Sequence, residues 1–416
     1  TTPKVLQTLA RLLGVSDFLW DDFLRMQHTN LFPVVKDVDA LFTARSKATL
    51  QDELAGLLQQ AETLAEAAEQ LNAFKDREMF RIDMRQIQGH ITEFGQFSGE
   101  LTDLAEVVIE AAYQLALNSL QAQFGRPYLA DGARCPVAIC ALGKCGGREL
   151  GFASDIELMV IFAGKGQTDG AHPIPTPEFY NRLTREISTI IKTKHEGIFN
   201  IDLQLRPYGK AGNMGVSLES FQRYFALEGD AWPYERQALV KLRPIAGDPT
   251  FCQQVVTERD GIIYNDQPFD IAAMRAMRER QLRHLVTAGT INAKFSPGGL
   301  VDIEYLVQAL QMTHGHTNPD LRQSNTYNAI IALHKANLLE LEDFTQLCEA
   351  HIFLRRLINA LRMVRGHAKD LTVPSPQSDE ANFLARRLDI ELEQLINALT
   401  QHTTQVQQIN SRLLAL

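Results

Sequence analysis

The chain has 416 residues, of which 45% are hydrophobic and 22% charged, with 26 glycines and 16 prolines. At roughly 150 residues per domain this leaves room for two or three domains with a sizeable core, and it excludes collagen-like, low-complexity and disordered classes. A balance of 41 basic against 50 acidic side chains gives a net charge of −9, which argues against an electrostatic footprint for a phosphate backbone and so against nucleic acid as a partner.

The acidity is concentrated, since residues 1–134 hold 12 basic and 19 acidic groups, net −7. Cys135, Cys140, Cys145, Cys252 and Cys348 are odd in number and lack C-x-x-C spacing. They predict neither a disulfide framework nor a zinc site, and they fit a reduced, cytoplasmic setting. No window approaches 18 consecutive apolar residues, and Thr1 to Arg11 carries no basic segment followed by an apolar one. Neither a membrane span nor an export signal is expected.

In chain order, apolar residues at Leu50, Leu54, Leu57, Leu58, Ala61, Leu64, Ala68, Leu71 and Phe74 follow steps of three and four. That spacing predicts one long amphipathic helix. Helical periodicity returns from Glu78 to Ile87 and from Leu101 to Phe124, so residues 1–128 are expected to form a helical module for scaffolding or partner contact. The character then changes. Cys135 to Leu142 and Ile156 to Phe162 are short β-branched, apolar runs bounded by glycines, which predicts strands. A helical stretch, Pro177 to Thr193, separates them from a third expected strand, Phe199 to Leu205, stopped by Pro207.

A small sheet is thus expected within 129–250. From Leu218 onward the spacing is helical, notably Ile271 to Val286, Leu300 to Met312 and Phe344 to Val364, with Pro244 to Pro249 and Pro374 to Ser378 marking connections. Residues 251–416 read as a C-terminal helical bundle. The fold class is α+β, mostly helical, with a small mixed sheet between two helical parts.

The informative stretch is Leu142 to Phe162. Gly146 and Gly147 follow a strand and open a turn whose N–H groups can approach phosphate oxygens. Seven residues later come Ser154, Asp155, Ile156 and Glu157. Asp155 and Glu157, two apart on an extended chain, project from one face while Ile156 enters the core. Adjacent carboxylates repel unless a cation lies between them, and the fitting cation is Mg²⁺, which takes carboxylate and phosphate oxygens together. Asp202 is a third acid in an otherwise apolar alternation. Beside the second strand it would complete a set able to hold two metal ions.

The order of Gly-Gly, then Asp-x-acid, then a later strand acid resembles the nucleotidyltransferase superfamily typified by DNA polymerase β. More closely, the chain resembles the glutamine synthetase adenylyltransferase family. The resemblance is carried by Gly143 to Leu150, Ser154 to Leu158, Asp202 to Gly209, Tyr234 to Asp248 and Ser296 to Leu306, across about residues 75 to 370. It implies a nucleotidyltransferase core at 129–250. It also implies transfer of AMP from ATP to a tyrosine of glutamine synthetase, or phosphorolytic removal of that AMP. One Gly-Gly to Asp-x-acid motif is present, where family members usually carry two such halves.

Matched motif to motif, Asp155, Glu157 and Asp202 would hold two Mg²⁺ ions. Gly146, Gly147 and Ser154 would cradle phosphate, and Arg206 would be a basic group at the cleft. A PII-type signal protein and glutamine would be effectors. The chain departs from the family pattern at Glu157, where Asp is usual, at Ala153, where Gly or Ser often stands, and at Gln204, where Arg is common. A stretch resembling the removing half, Ser154 to Ile156, coexists with one resembling the adding half, Pro297 to Glu304, and the longer match favours addition. Two rivals are a non-catalytic nucleotide-sensing relative and an RNA-end nucleotidyltransferase; the latter would want a basic channel that the charge balance opposes.

Weaker candidates complete the reading. Lys210 among Gly209, Gly212 and Gly215 could form an anion-binding nest. Asp302 and Glu304, two apart on a predicted helix, point in different directions and cannot share an ion; Glu304 is the one expected at a cleft. Trp232, Glu235 and Arg236 are expected to buttress the sheet, and His314 and His316 to be solvated.

Overall fold

The computed structural model describes residues 43–193, 199–365 and 370–414; Thr1 to Arg11 lies outside them. Contacts divide the described chain into two compact units, 43–262 and 263–414. The helices preceding the sheet therefore belong to the same unit as the sheet itself.

Three helices open the first unit: α1 (Lys47–Leu58), α2 (Leu64–Ile87) and α3 (Gln96–Phe124). The expected long helix from Leu50 to Phe74 is broken between α1 and α2. The apolar spacing runs on, but the Thr63 hydroxyl accepts from the Glu66 N–H at 3.2 Å and the Glu66 carboxylate accepts from the Glu62 N–H at 2.9 Å. These bonds start a new helix. α3 is the central helix of the set, packing on α1, on α2, on the later helix Thr176–Ile190 and on the last strand of the sheet.

The strands and short helices follow: β1 (Pro127–Leu129), β2 (Val137–Ala141), α4 (Gly143–Gly146), β3 (Ile156–Phe162), β4 (Gly166–Thr168), α5 (Thr176–Ile190), β5 (Ile201–Asp202), β6 (Gly215–Ser217), α6 (Leu218–Phe225), α7 (Pro233–Ala238), β7 (Arg243–Gly247) and α8 (Pro249–Ile263). The main sheet runs β5-β3-β2-β7, with β6 also on β3. β2 pairs antiparallel with β3 and β7, whereas β5 and β6 pair parallel to β3, so the sheet is mixed. β2 is buried throughout and β3 at every position but Glu157, which explains why these two read as continuous apolar runs.

Two expectations are corrected. The strand expected from Phe199 to Leu205 is only two residues long, because Asp202 Oδ1 accepts from the Gln204 N–H at 2.8 Å and Arg206 donates to the Leu203 carbonyl at 2.6 Å. The chain turns out of the sheet there and returns at β6. Conversely, Arg243 to Gly247, read as part of a proline-glycine connection in a helical region, is a strand at the sheet's edge. Pro244 is tolerated because β7 is an edge strand and bulges beside it, Ile245 being left unpaired where the register shifts between Ile139 and Cys140 of β2.

The second unit is helical: α9 (Ile271–Leu285), α10 (Leu300–His314), α11 (Thr326–Lys335), α12 (Leu341–Arg365), α13 (Asp379–Leu388) and α14 (Leu392–Leu413). Leu306, Leu321, Ile330, Leu354, Leu361, Leu384 and Val406 anchor its core. The chain is thus mostly helical α+β, and no described helix is long and apolar enough to cross a membrane.

Candidate active site

β3 and β5 bring the sequence's acids to one place. Glu157 is the register partner of Asp202 across the parallel pair, so both side chains leave the same face of the sheet. Asp155 stands two residues before Glu157, immediately ahead of β3. The pairing continues past the strand ends: the Ile156 N–H donates to the Asn200 carbonyl at 2.8 Å and the Phe199 N–H to the Ser154 carbonyl at 3.0 Å. All three acids are half-buried. The Ser154 hydroxyl is spent locally, accepting from the Gly151 N–H at 3.1 Å; in this structure it shapes the turn ahead of Asp155.

The Gly-Gly turn is α4. The Gly146 and Gly147 N–H groups donate to the Leu142 and Gly143 carbonyls at 2.8 and 3.0 Å, so they are engaged within the turn rather than facing outward. Gly146 is required for another reason: a Cβ there would lie 1.9 Å from the Lys241 carbonyl oxygen. At the other end of α4, the Glu157 carboxylate lies directly over Gly143. Cys145, inside the turn, is fully buried, and burial pushes its thiol up to about 12.

An ionic frame centred on the buried Glu106 carboxylate stands behind this turn. Arg243 of β7 donates to the Gly146 carbonyl at 2.9 Å, to the Cys145 carbonyl at 3.1 Å and to Glu106 of α3 at 2.6 Å. Arg148 reaches Glu106 at 3.1 Å and Asp103 at 2.7 Å, and Lys47 closes on the same Glu106 carboxylate. Burial pushes the Glu106 carboxyl up, but Arg243 and Lys47 outweigh it and hold it below its ordinary value. Lys241 and Glu149 form a second buried pair at 2.6 Å. Sequence reasoning missed this frame. Arg243 lay inside a quoted motif, and Glu106 offered only a faint sign, an acid on the apolar face of a helix.

Between β5 and β6 residues 203–214 make an excursion from the sheet edge. Arg206, buried, donates to the carbonyls of Leu203, Gly212 and Asn213, so it holds the excursion's shape. Burial pushes its pKa down, opposed by Asp202. Lys210 is exposed in a 3₁₀ turn, Gly209–Ala211. Tyr208 donates to Asp230 at 2.5 Å and packs edge-on against Tyr224.

The remaining candidates fall elsewhere. Trp232 is 65% exposed and caps α7, where its N–H donates to Glu235 at 2.8 Å; Glu235 accepts from Tyr224. Arg236 donates to the Ala226 carbonyl at 2.8 Å. Asp302 accepts from Arg278 at 2.5 Å and from the Gly298 N–H at 2.6 Å, fixing the start of α10 in the second unit, while Glu304 is half-buried on that helix. His314 ends α10 and His316 is exposed.

Among the described residues no group of three or more His, Cys, Asp or Glu side chains is arranged to hold a metal ion. The Glu157 carboxylate is turned over Gly143, and one Asp202 oxygen is used by the Gln204 N–H. The donor set on the sheet face, three half-buried carboxylates on and beside two adjoining strands, nevertheless has the hard-oxygen chemistry that suits Mg²⁺.

Comparison with known proteins bears out the family resemblance. Residues 6–258 match the family model of glutamate-ammonia ligase adenylyltransferase, and residues 272–414 match that of the GlnD PII-uridylyltransferase. Similar proteins include three bifunctional glutamine synthetase adenylyltransferase/adenylyl-removing enzymes. That of Hahella chejuensis is 32% identical over 340 residues, 80% of this chain and 34% of the relative. That of Xanthomonas axonopodis pv. citri is 30% identical over 354 residues, 83% and 37%. That of Shewanella woodyi is 28% identical over 377 residues, 88% and 38%. The chain therefore spans little more than a third of the length of these relatives. It belongs to the glutamate-ammonia ligase adenylyltransferase family.

Proposed function

We propose that this chain is one catalytic half of such an enzyme and adds AMP from ATP to a tyrosine of glutamine synthetase. The observation that carries the reading is the register of Glu157 with Asp202, with Asp155 beside them and the α4 turn folded against Glu157. Asp155, Glu157 and Asp202 would hold Mg²⁺, which when bound neutralises phosphate charge. The α4 turn bounds the site on the side of Gly143. The excursion carrying Lys210 supplies a cation near its edge, and Arg206 keeps that excursion folded. The tyrosine hydroxyl would attack the α-phosphorus in line as pyrophosphate leaves.

The same carboxylates serve phosphorolytic removal of AMP, in which phosphate attacks and ADP leaves, and the relatives' names carry both activities. The division into 1–128, 129–250 and 251–416, a cytoplasmic setting, and regulation by glutamine and a PII-type protein belong to the same proposal. The match of 272–414 to a PII-uridylyltransferase model supports the PII part of the last.

Two assays with Mg²⁺ test the reading: glutamine synthetase with labelled ATP, and adenylylated synthetase with phosphate. Label on the synthetase is the expected result. ADP release alone would reassign the chain to removal, and silence in both would leave a non-catalytic relative.

A further inference from the structure

We propose that Glu106 is a positioning residue for the α4 turn, residues 143–147, which bounds the site beside the carboxylates, acting through Arg243; this rests on the nucleotidyl-transfer reading above. Glu106 is 3% exposed and sits on α3, far in sequence from the turn. Its carboxylate gathers Arg243, Arg148 and Lys47 from three separate segments.

The Arg243 fork is the working part. Its Nε donates to the Gly146 carbonyl and its Nη2 is shared between the Cys145 carbonyl and Glu106. Those carbonyls lie at the end of α4, where the Cys145 carbonyl already accepts from the Arg148 N–H at 3.1 Å and the guanidinium adds one donor to it and one to the Gly146 carbonyl. A planar guanidinium can satisfy both at once, and the carboxylate behind it fixes its orientation. Arg148, next beyond the turn, holds a left-handed backbone at φ 55° and is tied to Asp103 and Glu106. The far end of the turn and the residue after it are thus pegged to one helix, while the near end lies under Glu157. Any drift of Arg243 moves the turn relative to the carboxylates, and a displacement of about 1 Å can cost on the order of a hundredfold.

Lys47 supplies the control, because it pairs with the same carboxylate but touches no carbonyl of the turn in the bonds described. The experiment compares wild type with Arg243→Lys, Glu106→Gln and Lys47→Ala. It measures Kd for ATP and for ADP with Mg²⁺ by calorimetry, Tm, and amide hydrogen exchange of residues 143–149. Arg243→Lys and Glu106→Gln are expected to raise both Kd values about tenfold and to speed exchange in the turn. Lys47→Ala is expected to change neither, with a comparable loss in Tm. Unchanged Kd and exchange in the first two, or equal weakening by Lys47→Ala, would overturn the proposal while leaving the enzymatic reading intact. Failure of wild type to bind either nucleotide would overturn that reading and this inference with it. Should Arg243→Lys not fold, Glu106→Gln decides, since it retains every bond from Arg243 to the turn.

Discussion

The carboxylate of Glu157 fills the space that a Cβ on Gly143 would need: Oε2 lies 2.5 Å and Cδ 2.6 Å from that position. Gly143 also holds φ at 50°, a left-handed backbone that costs an L-residue about 1–2 kcal/mol. Gly143→Ala is therefore expected to lower stability by about that amount and to push Glu157 aside. Adenylyl transfer should fall further than the stability loss explains. Thermal unfolding and activity measured side by side check this, and an alanine variant of full activity would show that the contact has no bearing on the chemistry.

Neutralising the acids should separate chemistry from fold. Asp155→Asn is expected to abolish adenylyl transfer while leaving Tm in metal-free buffer unchanged or slightly raised, since like-charge repulsion on the sheet face is relieved. Glu157→Asp should keep measurable Mg²⁺-dependent activity, and Glu157→Gln should lose it. Wild-type turnover in Glu157→Gln would remove that residue from the ligand set.

Ala153 is 6% exposed and held at φ 50°. Glycine adopts that region without a Cβ penalty but loses more freedom on folding. The first effect is the larger, so Ala153→Gly should stabilise the protein by about 0.5–1 kcal/mol. Denaturant titration reads this directly, and a destabilised variant would contradict it.

Glu106 sets an acid sensitivity. Its folded pKa is depressed below the ordinary 4.5, so its stabilising contribution is present above that value and lost as pH falls through the folded one. Glu106→Gln should be less stable at neutral pH but show a flatter decline below pH 4.5, the two curves converging toward acid. Unfolding free energies from pH 7 downward test the sign; parallel curves would refute it.

The elements that were legible in the sequence share one property, a hydrophobic pattern decided by burial alone. β3 was read with its observed ends because Ile156 to Phe162 is covered on both faces. Where local polar chemistry competes with pattern, reading failed. Asp202 belongs to an apolar alternation, yet its carboxylate captures the Gln204 N–H and ends the strand. Thr63 interrupts an unbroken apolar stripe with a cap. β7 contains Pro244 and Gly247 and so lacks every usual strand signal; tertiary pairing with β2 alone makes it one. In the site, the acids could be found because carboxylates on apolar strands stand out. Glu106 could not, since its three cationic partners come together only after the chain has folded.

The excursion of residues 203–214 begins opposite Glu157 and ends opposite Val160, both anchors on the same edge of β3. At about 3.3 Å per residue its stems are held roughly 10 Å apart whatever lies between them. The entropy of closing this loop is met by the sheet, not by any molecule the loop encounters. The strand that presents the carboxylates is therefore insulated from the length of this loop: an insertion beside Lys210 is expected to leave the pairing of β5 and β6 with β3 in place.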